Sequence, residues 1–163
     1  MLVFKWVVIG LLALVVSAIV TGQVGLLKGQ APSDLGVRQG RLKGLSPTDN
    51  SVSSQADLYP NHPQYEYSRI APLPLRGNGP ATLDKLKSVV ASMDGAKLVF
   101  GKPDYVYAQF TTSLMKYVDD VEFWFDPTAN VIQVRSASRL GKSDLGANRK
   151  RIEAVRIALA AAP

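Results

Sequence analysis

The sequence contains no cysteine and only one histidine, His62, among its 163 residues. The absence of cysteine excludes disulfide bonds, thiolate metal ligands and cysteine nucleophiles. A single imidazole also excludes a multi-histidine metal centre, and it leaves His62 as the one histidine available as a base. We predict no metal site, no cofactor and no catalytic residues.

Charge is missing from the N-terminal part of the chain. No charged residue lies between Lys5 and Lys28, and residues 6–20 are almost entirely apolar. An uncharged stretch of about 22 residues, rising about 1.5 Å per residue, spans a hydrocarbon core of about 30 Å. Residues 1–27 are therefore predicted to be a transmembrane anchor or a signal segment. Residues 16–18 (VSA) fit a cleavage site, so an anchored form and a cleaved, secreted form both remain open.

Basic residues outnumber acidic ones by 19 to 13, for a formal net charge of +6. Four of them follow the apolar stretch: Lys28, Arg38, Arg41 and Lys43. Counted alone, these residues favour a cytoplasmic C-terminal domain. The other basic residues are scattered and form no recognised motif, so we predict no nucleic-acid partner. Contact with the membrane is expected through residues 5–27.

The rest of the chain is divided into a linker, residues 28–44, and a domain, residues 45–163. Glycine and proline punctuate the chain up to about residue 80, and no apolar periodicity runs through that part. Residues 58–67, which are rich in proline and tyrosine, are predicted to lie extended over a surface with their rings packed down.

Regular structure is predicted from Pro80 onward. Helical spacing of apolar residues predicts a helix from Pro80 that ends near Gly95. Alternation of apolar and polar residues predicts four strands, at about 96–100, 104–112, 120–125 and 132–139. A last helix is predicted from Asp144 or Leu145 to Ala161. The fold class is therefore α+β: an antiparallel sheet of about four strands, covered on one face by two helices, after an N-terminal transmembrane helix or signal segment.

The alternation also predicts which residues share a face of the sheet. With a four-residue loop at 127–130, the cross-strand pairs are Trp124 with Gln133, Phe123 with Val134, and Glu122 with Arg135. The face without helices collects polar and aromatic side chains: Tyr105, Tyr107, Gln109, Asp120, Glu122, Trp124, Gln133, Arg135 and Arg139. We expect this face to point outward, with its rings packed beneath residues 58–67.

Several short motifs carry a resemblance to a known family. They are residues 50–54 (NSVSS), 70–73 (IAPL), 119–123 (DDVEF), 134–141 (VRSASRLG), 143–146 (SDLG) and 148–149 (NR). Together they resemble the signature of domain of unknown function 1499, over about residues 45–160.

The resemblance implies a cellular location rather than an activity. Members of that family are bacterial envelope or chloroplast-lumen proteins, often with an export signal, and no activity is established for them. It therefore implies a single-pass cell-membrane protein with its domain on the exported, periplasmic side, against the count of basic residues. Many members carry two cysteines near the early motif, and the corresponding positions here hold Ser51 and either Leu45 or Ser46.

The central motif also predicts a site. Exposed amides at the start of the last helix, with Arg139, Lys142 and Arg149 nearby, favour an anion. The predicted ligand-binding residues are Arg135, Ser138, Arg139, Lys142, Asp144, Asn148 and Arg149. In the alternative interpretation, Ser143 or Asp144 caps the helix and the arginines form a structural polar network with three acidic residues: Asp119, Asp120 and Glu122.

These observations favour a non-catalytic binding module of the cell envelope. Its expected partner is a small anionic ligand or another envelope protein. The first alternative is a structural or assembly protein with no ligand. The third interpretation is a hydrolase-type enzyme, which would need a serine beside His62.

Overall fold

Four strands of alternating apolar and polar residues, joined by a short fifth, form one antiparallel sheet in the computed structural model, which describes residues 2–162. The helices are α1 (Leu2–Gln23), α2 (Tyr65–Ser68), α3 (Gly79–Ala91) and α4 (Ala147–Ala161). The strands are β1 (Ser51–Ser53), β2 (Ala96–Gly101), β3 (Tyr105–Thr111), β4 (Val118–Asp126) and β5 (Val131–Ser138). The predicted α+β class is confirmed.

The strand order is β1-β5-β4-β3-β2, so the sheet has five strands where the sequence predicts about four. The additional strand, β1, pairs with the end of β5. The predicted register of the β4–β5 hairpin is confirmed, because Glu122 pairs with Arg135, Phe123 with Val134 and Trp124 with Gln133. The two faces of the sheet are therefore those that the alternation predicts.

Helices α3 and α4 cover one face and bury the core against it. Their buried apolar residues are Leu83, Leu86, Val90, Ile152, Val155 and Leu159. They meet the apolar residues of the sheet, which include Val121, Phe123, Ile132 and Val134. The start of α3 is set by Asn78, whose side-chain oxygen accepts a hydrogen bond from the Ala81 N–H at 2.9 Å, as N-cap residues do.

Helix α4 begins at Ala147, which is later than the predicted start at Asp144 or Leu145. Leu145 and Gly146 have φ angles of +52° and +79°, so neither is helical. The predicted N-cap at Ser143 or Asp144 is also wrong, since Gly146 holds the N-cap position. Asp144 nevertheless contributes to this helix start, because its carboxylate accepts hydrogen bonds from the N–H groups of Gly146 and Asn148.

Within the described residues, helix α1 leaves nearly all of its apolar side chains exposed and contacts the domain through its last turn. The Gln23 side chain donates to the carbonyl oxygen of Leu114 at 3.0 Å, and Gly22 lies against the Met115 backbone. Residues Val3–Gln23 are long and apolar enough to cross a membrane. An N-terminal helix of this kind is a signal sequence or a single membrane anchor.

Candidate functional site

The polar face of the sheet is covered by residues 30–47, here called the strap. The Gly36 N–H donates to Glu122 Oε1 at 2.7 Å, and Arg135 Nε donates to the Gly44 carbonyl oxygen at 3.2 Å. Leu42 of the strap packs against the rings of Tyr105 and Trp124. Part of the predicted linker, residues 28–44, therefore lies across the sheet.

Two expectations about this face are wrong. It does not point outward, because the strap buries Glu122 and leaves Arg135 only 4% exposed. The rings of Tyr105 and Trp124 also do not pack beneath residues 58–67, since their apolar neighbours include Leu42 of the strap. Residues 58–67 are also not extended throughout as predicted, since their last three residues belong to α2, which packs beside β1.

Glu122 and Arg135 form a buried, loosely joined pair at the centre of this face. Arg135 Nη1 lies 3.8 Å from Glu122 Oε2, which is longer than a hydrogen bond. Glu122 Oε1 accepts hydrogen bonds from the Tyr105 hydroxyl and from Gly36, whereas Oε2 is buried without a hydrogen-bond partner among residues 2–162. Burial raises the pKa of Glu122, and the Gly36 amide, the Tyr105 hydroxyl and Arg135 oppose that rise. Burial also lowers the pKa of Arg135.

Arg139 and Asp120 form a second pair, and this one is tightly joined. Arg139 Nε and Nη2 lie 2.8 Å and 2.7 Å from the two carboxylate oxygens of Asp120, a bidentate geometry. The Tyr107 hydroxyl donates to the same carboxylate at 2.5 Å. Hydrogen bonding to Asp120 raises the pKa of Arg139, while burial, followed by the bond to Asp120, raises that of Tyr107. Arg139 is thus held in a fixed position and stays charged.

A cavity of about 290 Å³ opens between the strap and the end of β5. We call it the arginine cleft, after the residues that line it from the sheet and the strap: Arg135, Arg139, Ser138, Asp120, Lys43 and Ser46. Three of these side chains are cationic and one is a carboxylate. Lys43 stands at the side of the cleft and forms an ion pair of 2.6 Å with Asp34.

The strap is joined to β1 beside the cleft. The Ser46 N–H donates to the Ser51 hydroxyl at 3.0 Å. Ser51 is the position that the resemblance assigns to the later cysteine of many relatives, and Ser46 is one of the two positions open for the earlier one. In this chain a hydrogen bond occupies that place.

The predicted site residues separate into two places. Arg135, Ser138 and Arg139 line the cleft. The other four lie in or before the first turn of α4: Lys142, Asp144, Asn148 and Arg149.

Backbone N–H groups and side chains at the start of α4 find hydrogen-bond partners within the protein itself. Asp144 occupies the amides that we expected to be exposed. The side chain of Asn148 contacts Ser136 and Ser138, and Arg149 donates to the carbonyl oxygens of Tyr67 and Arg69. An anion at this helix terminus would have to displace the Asp144 carboxylate.

The predicted polar network is also split between the two faces. Asp120 and Glu122 pair with arginines on the strap side. Asp119 points to the helix side, where it lies 2.5 Å from Arg151 Nη2. Grouping Asp119 with the other two was therefore wrong, and the two-residue period of the strand explains why.

Sequence reasoning missed Lys43 and Arg151. Lys43 lies in a segment without periodicity, so no pattern marks it. Arg151 could have been found, because it follows Asn148 by three residues and thus shares its helix face. No three histidine, aspartate or glutamate side chains within residues 2–162 are placed to hold a metal ion.

Comparison with known families agrees with these motifs. The family model described as "Protein of unknown function (DUF1499)" matches residues 41–159. The chain belongs to the DUF1499 family. The matched part contains the whole sheet, α3, most of α4 and the end of the strap, including Lys43. Neither the curated proteins nor the solved structures include a significant match to this chain.

Proposed function

We propose that this DUF1499 protein is a single-pass envelope protein whose domain binds a small oxyanion in the arginine cleft. One observation carries the proposal. Arg135 is 4% exposed, yet among residues 2–162 its guanidinium makes one hydrogen bond, from Nε to Gly44. Arg135 is one of the residues that line the arginine cleft, so its terminal nitrogens are the donors that we assign to a ligand there.

The chemistry of the cleft favours an anion. A guanidinium holds five N–H donors in a planar fork that matches carboxylate and phosphate oxygens. Glu122 leaves the terminal donors of Arg135 free, because Nη1 lies 3.8 Å from Oε2, beyond hydrogen-bond distance. Lys43 and Arg139 also line the cleft, each paired with a carboxylate, Asp34 and Asp120, and the Ser138 hydroxyl supplies a neutral donor. A cavity of about 290 Å³ suits a small ligand such as a phosphate, a sulfate or a short carboxylate.

The proposed cellular location rests on α1 and on the family resemblance. Within the described chain nothing covers the apolar side chains of α1, which is what a membrane-inserted helix needs. We place the domain on the exported side because the resemblance implies it, and cleavage of α1 would release the domain as a secreted protein. Protease added to intact cells separates the sides, since only an exported domain is digested.

Calorimetric titration of the full chain with inorganic phosphate and sulfate tests the proposed ligand class. Lys43→Gln removes a cation that is partly exposed, so the domain keeps its fold while binding weakens by about tenfold, as expected for one charge-assisted hydrogen bond. The double variant Arg135→Gln with Glu122→Gln removes the buried pair without leaving an unpaired charge, and it abolishes binding. Lys142→Gln, at the start of α4, is the control and binds as the unmodified protein does.

A structural role without a ligand is the second candidate. It is favoured by the bidentate ion pair of Arg139 with Asp120. It is also favoured by the hydrogen bonds that the amides at the start of α4 donate to Asp144. Absence of phosphate and sulfate binding in the folded protein supports this role and contradicts the first. A hydrolase has weaker support, because His62 Nδ1 accepts from the Gln64 N–H and the Ser136 hydroxyl bonds to Asn148.

A further inference from the structure

We infer that the end of the domain next to α1 is a membrane-docking face that contacts the headgroups of a lipid bilayer. The inference rests on α1 being a membrane anchor, as proposed above, and extends it to the domain itself. The surface consists of the β3–β4 loop, residues 112–117, together with the segments 24–29 and 139–142, which lie at the same end of the sheet.

The length of α1 sets the depth of this surface. Its 21 residues from Val3 to Gln23, at about 1.5 Å per residue, match a hydrocarbon core of about 30 Å. Gln23 therefore lies at the boundary between acyl chains and headgroups. Its side chain is hydrogen-bonded to Leu114 O at 3.0 Å and reaches Ser113 O at 3.4 Å. The β3–β4 loop is thereby held at the same depth.

Two glycines bring the anchor and the domain into direct contact. A side chain at Gly22 would overlap the backbone of Met115, so the helix and the loop touch without an intervening layer. A side chain at Gly29 would meet Arg139 and Leu140. The chain leaves the membrane without a flexible spacer, so the domain stays against the bilayer. This tethering keeps the local lipid concentration high, and even a weak docking surface is occupied.

The side chains of this end suit a lipid interface. Five large apolar or aromatic residues are exposed there: Leu26 (71%), Val24 (66%), Leu114 (54%), Leu140 (40%) and Tyr117 (39%). Three lysines accompany them: Lys28, Lys116 and Lys142. Leucine and tyrosine insert at the headgroup level, and lysine approaches lipid phosphates. Two exposed acidic residues, Asp49 and Asp94, lie at the same end, so apolar insertion contributes more than net charge.

Depth-dependent fluorescence quenching tests the face, and the cysteine-free sequence makes single-site labelling direct. The full chain is reconstituted into phosphatidylcholine vesicles that carry nitroxide lipids, with one dye on each of three single-cysteine variants. Leu114→Cys reports the proposed face and Val15→Cys reports the middle of α1. Ile157→Cys is the matched control, because Ile157 is an aliphatic residue of 70% exposure near the far end of α4.

We expect headgroup nitroxides to quench the Leu114 label and acyl-chain nitroxides to quench the Val15 label, while the Ile157 label is quenched by neither. Phosphatidylglycerol should strengthen quenching of the Leu114 label, and Lys116→Glu should cancel that increase. Gly22→Leu should weaken Leu114 quenching without changing Val15, because it pushes the loop away from the helix.

The two proposals fail in different ways. If the Val15 label is not quenched, α1 is not a membrane anchor in this protein. The docking face is then refuted as well, because it depends on that anchor. If the Val15 label is quenched but the Leu114 label behaves like the Ile157 label, the anchor stands and the docking face is refuted.

Discussion

The substitution Arg135→Gln tests how the buried pair contributes to stability. It removes the guanidinium from Glu122, which is fully buried and whose Oε2 accepts no hydrogen bond within residues 2–162. Removing one partner of a buried ion pair costs about 3–5 kcal/mol when the remaining group stays charged. When the remaining group is neutral, the loss reduces to the hydrogen bond with Gly44, about 1 kcal/mol.

The cost should therefore depend on pH. Burial raises the folded-state pKa of Glu122 above its usual 4.5, and loss of Arg135 raises it further. A carboxyl whose pKa is higher in the folded than in the unfolded state does not destabilise the protein at pH values below its unfolded-state pKa. The free energy of unfolding falls as the pH rises through the folded-state pKa. Arg135→Gln should cost about 1 kcal/mol near pH 4.5 and about 3–5 kcal/mol well above the raised pKa.

Urea unfolding of the full chain in detergent measures this cost. Trp124, which lies on the same face, reports unfolding of the domain, and Trp6→Phe removes the signal of α1. With a slope of about 1.5 kcal/mol/M, the midpoint shifts by about 2–3 M at high pH. Adding Glu122→Gln should restore most of the loss at high pH. An equal cost at both pH values, or no recovery in the double variant, would refute the reasoning.

Three further predictions concern stability. Ser46→Cys with Ser51→Cys should form a disulfide that closes a short loop and raises the free energy of unfolding by about 2 kcal/mol, measured with and without reductant. Gly79→Ala should lower the free energy of unfolding by about 1–3 kcal/mol in a urea titration, because its Cβ would overlap the Phe125 ring. Asp144→Ala should cost about 1–2 kcal/mol in the same titration, since it leaves the Gly146 and Asn148 amides without their acceptor.

The Gly79 and Asp144 substitutions each have a control in the same chain. Gly44→Ala should be nearly neutral, since the nearest atom to its Cβ is the Tyr59 hydroxyl oxygen at an ordinary 3.5 Å. Asp84→Ala removes an exposed carboxylate from α3 and should also change little. Failure of the paired cysteines to oxidise would contradict the close approach of the strap and β1. A Gly79 or Asp144 variant as stable as its control would contradict the corresponding contact.

Alternation was enough to predict most of the fold. Residues such as Val121, Phe123 and Val134 are apolar because they face α3 and α4, and their period of two determined both the faces and the register. Strand β1 was missed because Ser51–Ser53 has no apolar pattern. It is buried through pairing with β5 and bonding to neighbouring segments, and sequence periodicity does not record such contacts.

The candidate site was harder to predict because half of it lies in the strap. Gly36 and Gly44 hold Glu122 and Arg135 through backbone groups, which any residue carries. No residue type therefore marks the strap as part of the domain. The amides before and within the first turn of α4 that were expected to be exposed donate to the Asp144 carboxylate instead, a contact that apolar spacing does not record.

Side-chain NMR of arginine Nε–Hε groups tests the central claim most directly. Inorganic phosphate is titrated into the full chain in lipid nanodiscs, and the Arg135 resonance is followed beside that of Arg149, whose guanidinium bonds to backbone carbonyls elsewhere. The account predicts a saturable shift at Arg135 that Lys43→Gln weakens, with Arg149 unchanged. An unmoved Arg135 resonance, or equal shifts at both arginines, would contradict it.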